Sequence, residues 1–338
     1  MNRMLPLEHS RMLINNTVPL FSYKKGDDIC SFQKNGKATL KNLLGINEIN
    51  NNHRSSDILI EYDIYAEDLG CREIQFLVES ENNVIVPCHL LLPKANKKSP
   101  LIIALHGHST GMHVCLGRRK YPCDDSTIRE QECDFAKQAV NRGYAVLVLE
   151  HRGFGARGGD ERGAKCSELA FRAMMVGRTL LGERVFDVKS ALDAVINNFG
   201  DLILPDNIIC LGYSGGGTIC TYLSSIDDRI KITVISSAIS TFSKSIGAMP
   251  HCPCNYVPSI SKYFDVGNIC QLIAPRTLVV ISGDEDPIFP IDGARECVNV
   301  AKVAFEEYGA ENNLVHIAAR GAHKFYPNEV WNALSELL

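Results

Sequence analysis

The sequence has no long hydrophobic run and no surplus of positive charge. Its 338 residues contain no stretch that approaches the roughly 20 apolar residues of a membrane-spanning helix, and residues 1–10 have no apolar core of signal-peptide length. Lysine and arginine number 35 against 39 aspartates and glutamates, a net charge of −4, and no basic cluster marks a nucleic-acid surface. We therefore expect a cytoplasmic protein whose partners include neither a membrane nor a nucleic acid.

Disulfide-type cysteine spacing is also missing. Thirteen cysteines are scattered from Cys30 to Cys297, their number is odd, and several lie inside apolar runs. We expect buried, reduced thiols, as in the cytosol. The Cys252-Pro253-Cys254 spacing differs from the CxxC of redox motifs and zinc half-sites, so the sequence favours plain packing there and predicts no metal and no other cofactor.

What the chain does have is the composition of a globular protein, with 45% hydrophobic and 22% charged residues. Residues 1–70 are polar and rich in asparagine, as at 50–52, and we predict an N-terminal extension that packs on the main body. Residues 71–338 are predicted to form that body as one domain.

Short apolar runs alternate with helical patterns over the main body. The predicted strands comprise an opening hairpin at 73–78 and 84–92 and six further runs at 101–105, 145–149, 208–211, 232–235, 278–281 and 313–317. A helical stripe includes Val185, Val188 and Leu192, and a closing helix begins near Glu329. Near-continuous apolar strands are buried on both faces. The sequence therefore predicts an α/β fold with a mostly parallel eight-stranded sheet flanked by helices.

A serine framed by glycines follows one of these strands. Gly212-Tyr213-Ser214-Gly215-Gly216 has the GxSxG pattern, with an apolar strand before it and a helical pattern after it. Small neighbours suit a sharp turn that holds the serine Oγ out of the sheet, and the N–H of Gly215 then faces an oxyanion at the helix N-terminus. The bare motif also arises by chance as a structural Gly-Ser turn, but this context favours Ser214 as a nucleophile.

A nucleophilic serine needs a base, and the base needs an acid to orient it. Among the ten histidines, His323 follows the last strand in a glycine-containing loop, whereas its rival His316 lies inside that strand, where packing is favoured. Asp286 precedes a proline in the loop after the preceding strand. We prefer it as the acid to Asp284, which suits a solvated turn.

Two loops are predicted to border this constellation. The loop after Leu105 begins His106-Gly107-His108, and the backbone N–H of His108 is the expected second oxyanion donor. The two imidazoles could instead bond locally or bind a metal, for which no third ligand is evident. Residues 249–264 could form a lid or a wall of the acyl pocket. The basic run at 118–120 could attract an acidic substrate group, although the pattern favours a solvated loop.

These motifs together resemble the α/β-hydrolase fold over about residues 71–338. The resemblance rests on the chain order Ser214, Asp286, His323 and on GYSGGG at 212–217, HGH at 106–108, EHRGFG at 150–155, GDEDP at 283–287 and GAH at 321–323. The segments APRTL at 274–278 and HCPCNYVP at 251–258 are similar to bacterial dienelactone-hydrolase-like and acetyl xylan esterase-like proteins. That resemblance implies a serine esterase acting on small acyl or carbohydrate esters. Ser214 stands where dienelactone hydrolases proper use cysteine, so their reaction is not implied.

We therefore predict an enzyme that cleaves small carboxylic esters, including acetyl or carbohydrate esters, through an acyl-serine intermediate. A peptidase or a thioesterase could use the same three residues, and a protein of this fold could bind a ligand without turnover. The expected partner is a small-molecule ester. The sequence does not identify the residues that bind it, and it leaves a homo-oligomer open.

Overall fold

The computed structural model describes residues 4–49, 58–94 and 97–337, so the asparagines at 50–52 lie outside the described residues. The strands are β1 Ile58–Ala66, β2 Cys71–Glu81, β3 Val84–Leu92, β4 Ser99–Leu105, β5 Ala145–Leu149, β6 Ile203–Tyr213, β7 Ile230–Ser236, β8 Thr277–Gly283 and β9 Leu314–Ala319. The α-helices are α1 Pro6–Asn15, α2 Ile29–Leu44, α3 Asp124–Arg129, α4 Phe135–Asn141, α5 Cys166–Met175, α6 Leu180–Phe199, α7 Gly215–Ile226, α8 Ile260–Tyr263, α9 Val266–Gln271, α10 Ile291–Glu307 and α11 Pro327–Leu337. Within this described part of the chain, no helix has both the length and the apolar composition that crossing a membrane requires.

The strands form one nine-stranded sheet in the order β1-β2-β3-β5-β4-β6-β7-β8-β9. Strands β1, β2 and β3 pair antiparallel and join β5 antiparallel, whereas the pairs from β5 to β9 are parallel. The predicted mostly parallel sheet with flanking helices is confirmed, but it has nine strands instead of eight. The additional strand is β1, which pairs Ile58 with Val78 and Ala66 with Cys71. Its side chains are mostly exposed, so a search for buried apolar runs does not detect it.

The central strands are buried on both faces of the sheet, because successive side chains of a strand point to opposite faces. In β4, Leu101, Ile103 and Leu105 belong to one apolar cluster, whereas Ile102 and Ala104 belong to another. The first cluster includes the apolar stripe of α6, and the second includes side chains of α4 and α11. Helices therefore cover both faces of the sheet.

The first part of the chain contacts this body through α2. The Asp28 carboxylate caps α2 by accepting the N–H of Cys30 at 3.0 Å, and Gly45 ends the helix in the left-handed conformation with φ of 71°. Leu40 and Leu44 of this helix are fully buried in the first apolar cluster. The helix thus contributes to the same core as the central strands.

A partly buried ion pair joins the loop after β4 to the antiparallel part of the sheet. Arg118 donates to both carboxylate oxygens of Glu73 at 2.7 Å, and His89 Nδ1 lies 2.6 Å from the same carboxylate. Burial alone would raise the pKa of Glu73, but the hydrogen bonds from His89 and Arg118 outweigh burial and lower that pKa to about 2. Arg118 is therefore a structural ion-pair partner, where the basic run had predicted a solvated loop.

Candidate active site

The strand-to-helix turn after β6 places Ser214 between closely packed glycines. Ser214 has φ of 50° and ψ of −120°, which is strained for a residue with a side chain, and its N–H donates to Ser236 O at 3.0 Å. A Cβ at Gly216 would lie 1.9 Å from Leu105 O, and a Cβ at Gly212 would lie 2.4 Å from Gly216 O. Backbone packing therefore requires both glycines of the GxSxG pattern.

Three side chains from three loops meet at this turn. His323 Nε2 lies 2.9 Å from Ser214 Oγ, and His323 Nδ1 lies 2.8 Å from Asp286 Oδ2. Asp286 is 4% exposed, and its Oδ1 accepts the N–H groups of Ile288 at 2.8 Å and Phe289 at 3.0 Å. An ionised carboxylate only accepts hydrogen bonds, so it favours the imidazole tautomer with the proton on Nδ1. That tautomer leaves Nε2 able to take a proton from the serine.

The rival residues lie nearby but make different contacts. In β9, the Nε2 atom of His316 lies 3.2 Å from Ser282 Oγ. Burial lowers the pKa of His316. Asp284 is exposed and accepts the N–H of Gly321 at 2.8 Å, which fastens the loop that carries the candidate base. The structure thus brings the two preferred residues to the serine, and their rivals contact other groups.

Two aromatic rings hold the candidate base from its faces. The centroid of the Tyr213 ring lies 5.5 Å from that of His323, and the Phe289 ring stacks at 5.9 Å with 25° between the planes. The His323 side chain is 16% exposed, so part of its surface remains open to a substrate. The two rings and the Asp286 carboxylate therefore fix the orientation of an imidazole that is still partly exposed.

The loop after β4 runs alongside the serine turn. A Cβ at Gly107 would lie 3.1 Å from Ser214 Cβ, and a Cβ at Gly215 would lie 2.6 Å from His108 Nδ1. Within the described residues, no acceptor takes the backbone N–H of Gly215 or of His108. Gly215 is the first residue of α7, where the helix dipole favours negative charge. The arrangement can therefore offer two N–H groups to an oxyanion.

A cavity of about 390 Å³ opens at Ser214. Its wall includes Met249 and the polar side chains of His108, Gln131, His251 and Asn255. The first part of the segment predicted as a lid or pocket wall thus lines the cavity. Two larger depressions, of about 450 and 580 Å³, lie elsewhere, and the residues that line them include no serine–histidine pair. The cavity at the serine is therefore the candidate substrate pocket.

The turn after β5 is held by buried charges. Arg152 binds Asp187 at 2.8 Å, Glu81 at 2.7 Å and Glu183 at 3.1 Å, and Arg157 binds Asp187 at 2.7 Å. Burial alone would raise the pKa of Asp187, but the two arginines lower it to about 2. These ion pairs fix the turn that carries the EHRGFG segment.

Sequence reasoning missed a cluster of potential metal ligands next to this cavity. His108, Cys166, Cys252 and Cys254 each place one ligand atom so that the four atoms lie within 4.8 Å of one another. All thirteen cysteines are free thiols. The spacing of the two cysteines around Pro253 gives no metal signal, because the other two ligands come from α5 and from the loop after β4.

Comparison with known proteins gives relatives in sequence and in structure, although no protein-family profile matches the chain. The chain is 27% identical over 237 residues to the "Putative hydrolase YtaP" of Bacillus subtilis (strain 168), which covers 69% of this chain and 76% of that protein. The structure of this chain is similar to that of a "putative acetyl xylan esterase" from Bacteroides fragilis NCTC 9343, with a TM-score of 0.80 and 15% identity; the alignment covers 100% of this chain and 96% of that protein's chain. A CE15 glucuronoyl esterase from Teredinibacter turnerae T7901 matches with a TM-score of 0.67 and 16% identity, over 96% of this chain and 90% of that one. The structural similarities confirm the predicted fold class.

Proposed function

We propose that this chain, which has the α/β-hydrolase fold, hydrolyses small carboxylic esters through an acyl intermediate on Ser214. The proposal rests on one observation, that His323 lies 2.9 Å from Ser214 Oγ and 2.8 Å from Asp286. Acyl transfer by a serine uses this arrangement of nucleophile, base and orienting acid. The hydrolase and esterase names of the similar proteins support the same reaction class.

The proposed reaction has two steps that share one base. Ser214 Oγ attacks the acyl carbon while His323 Nε2 takes the hydroxyl proton, and the N–H groups of Gly215 and His108 stabilise the resulting oxyanion. His323 donates that proton to the leaving alcohol oxygen as the ester C–O bond breaks. Water then attacks the acyl carbon while His323 takes its proton, and His323 returns that proton to Ser214 Oγ as the bond between Oγ and the acyl carbon breaks, which releases the carboxylic acid. Asp286 stabilises the imidazolium in both steps.

The proposed substrates carry a short acyl group on a polar alcohol, as acetylated carbohydrates do. The cavity of about 390 Å³ presents polar groups of His108, Gln131, His251 and Asn255. Such groups suit the hydroxyls of a carbohydrate, because pocket polar groups orient a ligand through hydrogen bonds. The acetyl xylan and glucuronoyl esterase names of the structural neighbours point to the same substrate class.

We infer that residues 71–338 form the catalytic domain and that residues 1–70 are an extension that packs on it and adds the edge strand β1 to its sheet. Burial of Leu40 and Leu44 in the core that the central strands share supports this packing. We also infer a cytoplasmic location, because the thirteen free thiols suit a reducing compartment.

Labelling with a fluorophosphonate tests whether Ser214 is activated. Intact-protein mass spectrometry should show one adduct on the parent and none on Ser214→Ala. Ser282→Ala is the matched control, because Ser282 also lies within hydrogen-bond distance of a histidine, His316 at 3.2 Å. This control should be labelled like the parent.

A substrate series then separates ester hydrolysis from the related activities. We expect an acetyl ester to be cleaved faster than the thioester and the amide of the same acyl group. Amide cleavage with negligible ester cleavage would show a peptidase, and fastest turnover of the thioester would show a thioesterase. A folded parent that forms no adduct would point to a ligand-binding protein and overturn the proposal.

A further inference from the structure

We propose that His108, Cys166, Cys252 and Cys254 bind one zinc ion in a four-ligand structural site beside the cavity. Three thiols and one imidazole supply four ligand atoms that all lie within 4.8 Å of one another. Thiolate and imidazole are the ligands that zinc prefers, and four protein ligands make a closed, structural site. This proposal reverses the expectation drawn from the spacing of the two cysteines around Pro253.

Three of the distances between the ligand atoms lie close to those of a tetrahedral zinc site. Cys254 Sγ lies 3.2 Å from Cys252 Sγ and 3.3 Å from His108 Nε2, and Cys166 Sγ lies 3.9 Å from the same nitrogen. Zinc bonds of about 2.3 Å to sulfur and about 2.0 Å to nitrogen in a tetrahedron separate two sulfurs by about 3.8 Å, and sulfur from nitrogen by about 3.5 Å. Shifts of about 0.6 Å or less would bring these three pairs to the zinc geometry, and the remaining pairs lie within the 4.8 Å that separates all four atoms at most.

A buried arginine gives independent evidence that this cluster carries negative charge. Arg184 is 3% exposed, and no carboxylate among the described residues forms an ion pair with it. Its guanidinium instead donates to Cys166 Sγ at 3.2 Å and to Arg152 O at 2.6 Å. A buried cation needs an anionic partner. Zinc with three thiolates has a formal charge of −1, so the site supplies the charge that Arg184 requires.

The ligands come from three segments that are distant in the chain. His108 belongs to the loop after β4, Cys166 begins α5, and Cys252 and Cys254 flank Pro253 in the segment that lines the cavity. A bound zinc would tie these segments together. It would therefore hold the cavity wall in place without taking part in the chemistry.

The zinc would also fix the tautomer of His108. If Nε2 binds the metal, the proton of the neutral imidazole stays on Nδ1. A Cβ at Gly215 would lie only 2.6 Å from that Nδ1, so the ring adjoins the proposed oxyanion site. This consequence rests on the proposed function, whereas the metal site itself does not.

Metal analysis of the full chain tests the site directly. Protein purified under reducing conditions without chelator should contain about one zinc ion per chain, as measured by elemental mass spectrometry. Cys254→Ser and Cys252→Ser should each lose most of that zinc. Cys30→Ser is the matched control, since Cys30 is an exposed thiol in α2, and it should keep the full content. Circular dichroism checks that each variant is folded.

Cobalt substitution gives a second readout that does not depend on a variant. Protein produced with Co²⁺ should show thiolate-to-cobalt charge-transfer absorption together with the intense visible bands of tetrahedral cobalt. Ser214→Ala should bind the metal like the parent, so failure of the metal site and failure of the ester-hydrolase proposal remain distinguishable. Reduced, zinc-supplemented parent without bound metal would overturn the site. Zinc retained in both cysteine variants would also overturn the site. A parent mass lower by two hydrogens would overturn it as well, because it would show a disulfide in place of the metal site.

Discussion

Replacing Asp286 with asparagine should disable the base while leaving its position unchanged. The asparagine keeps the side-chain size and an oxygen for the N–H groups of Ile288 and Phe289, which donate to Asp286 at 2.8 and 3.0 Å. It puts an amide donor where the carboxylate oxygen lies 2.8 Å from His323 Nδ1. The imidazole then carries its proton on Nε2, toward Ser214, and cannot take the serine proton. We expect kcat to fall about 10⁴-fold, which corresponds to about 5 kcal/mol of transition-state stabilisation.

The assay compares release of 4-nitrophenol from its acetate ester by the parent, Asp286→Asn and Asp284→Asn. The control removes the same charge two residues away, from an exposed carboxylate that accepts the N–H of Gly321 at 2.8 Å. It should keep kcat within about threefold of the parent, because the asparagine oxygen can still accept the N–H of Gly321 and so keep the His323 loop fastened. Circular dichroism establishes that both variants are folded. A full rate in Asp286→Asn, or equal losses in the two variants, would refute the assignment of the acid.

Two further predictions concern stability. Gly216→Ala should lower the free energy of unfolding by about 3 kcal/mol, because the added Cβ would lie 1.9 Å from the backbone oxygen of Leu105. Gly143 has φ of 91° but open space around it, so Gly143→Ala should lower the free energy of unfolding by only about 1 kcal/mol. Urea unfolding measures both variants, and equal losses would contradict the steric argument. The pKa of Glu73 in the folded protein, about 2, lies below its ordinary value of 4.5, so its contribution to stability is complete above about pH 5 and is lost as the pH falls toward 2. Over that range the unfolding free energy should fall more steeply for the parent than for Glu73→Gln, and identical slopes would show that this carboxylate does not govern acid stability.

The serine turn could be predicted because its requirements are local. Gly212 and Gly216 stand two positions from Ser214 on either side, and each is needed where the backbone approaches another segment closely. The positions of Asp286 and His323 could be ranked because each follows a predicted strand, and the carboxyl ends of parallel strands meet at one edge of a sheet. Pattern and topology were therefore sufficient to place these three side chains near one another.

Other features could not be predicted because they depend on contacts between segments that are distant in the chain. Arg118 was expected to be solvated, yet its partner Glu73 lies 45 residues earlier, in β2. Strand β1 has few buried side chains, so only its pairing with β2 reveals it. Cys166 lies in α5, and the spacing of Cys252 and Cys254 gives no indication that this helix lies beside them. In each case the decisive partner is set by the tertiary fold and not by a local pattern.

The loop over residues 284–290 holds the imidazole of His323 in two ways at once. Asp286 binds its edge at 2.8 Å, and Phe289 stacks on its face at 5.9 Å. A laboratory-evolution library that randomised this loop would therefore yield mostly inactive clones, whatever substrate was selected. Met249, Pro250 and His251 line the same cavity from another segment. Diversity placed at Met249 and Pro250 would change the shape of the pocket while the reacting groups kept their alignment, so new specificities should be sought there. His251 should stay unchanged, because its ring packs against Phe289 at 5.5 Å.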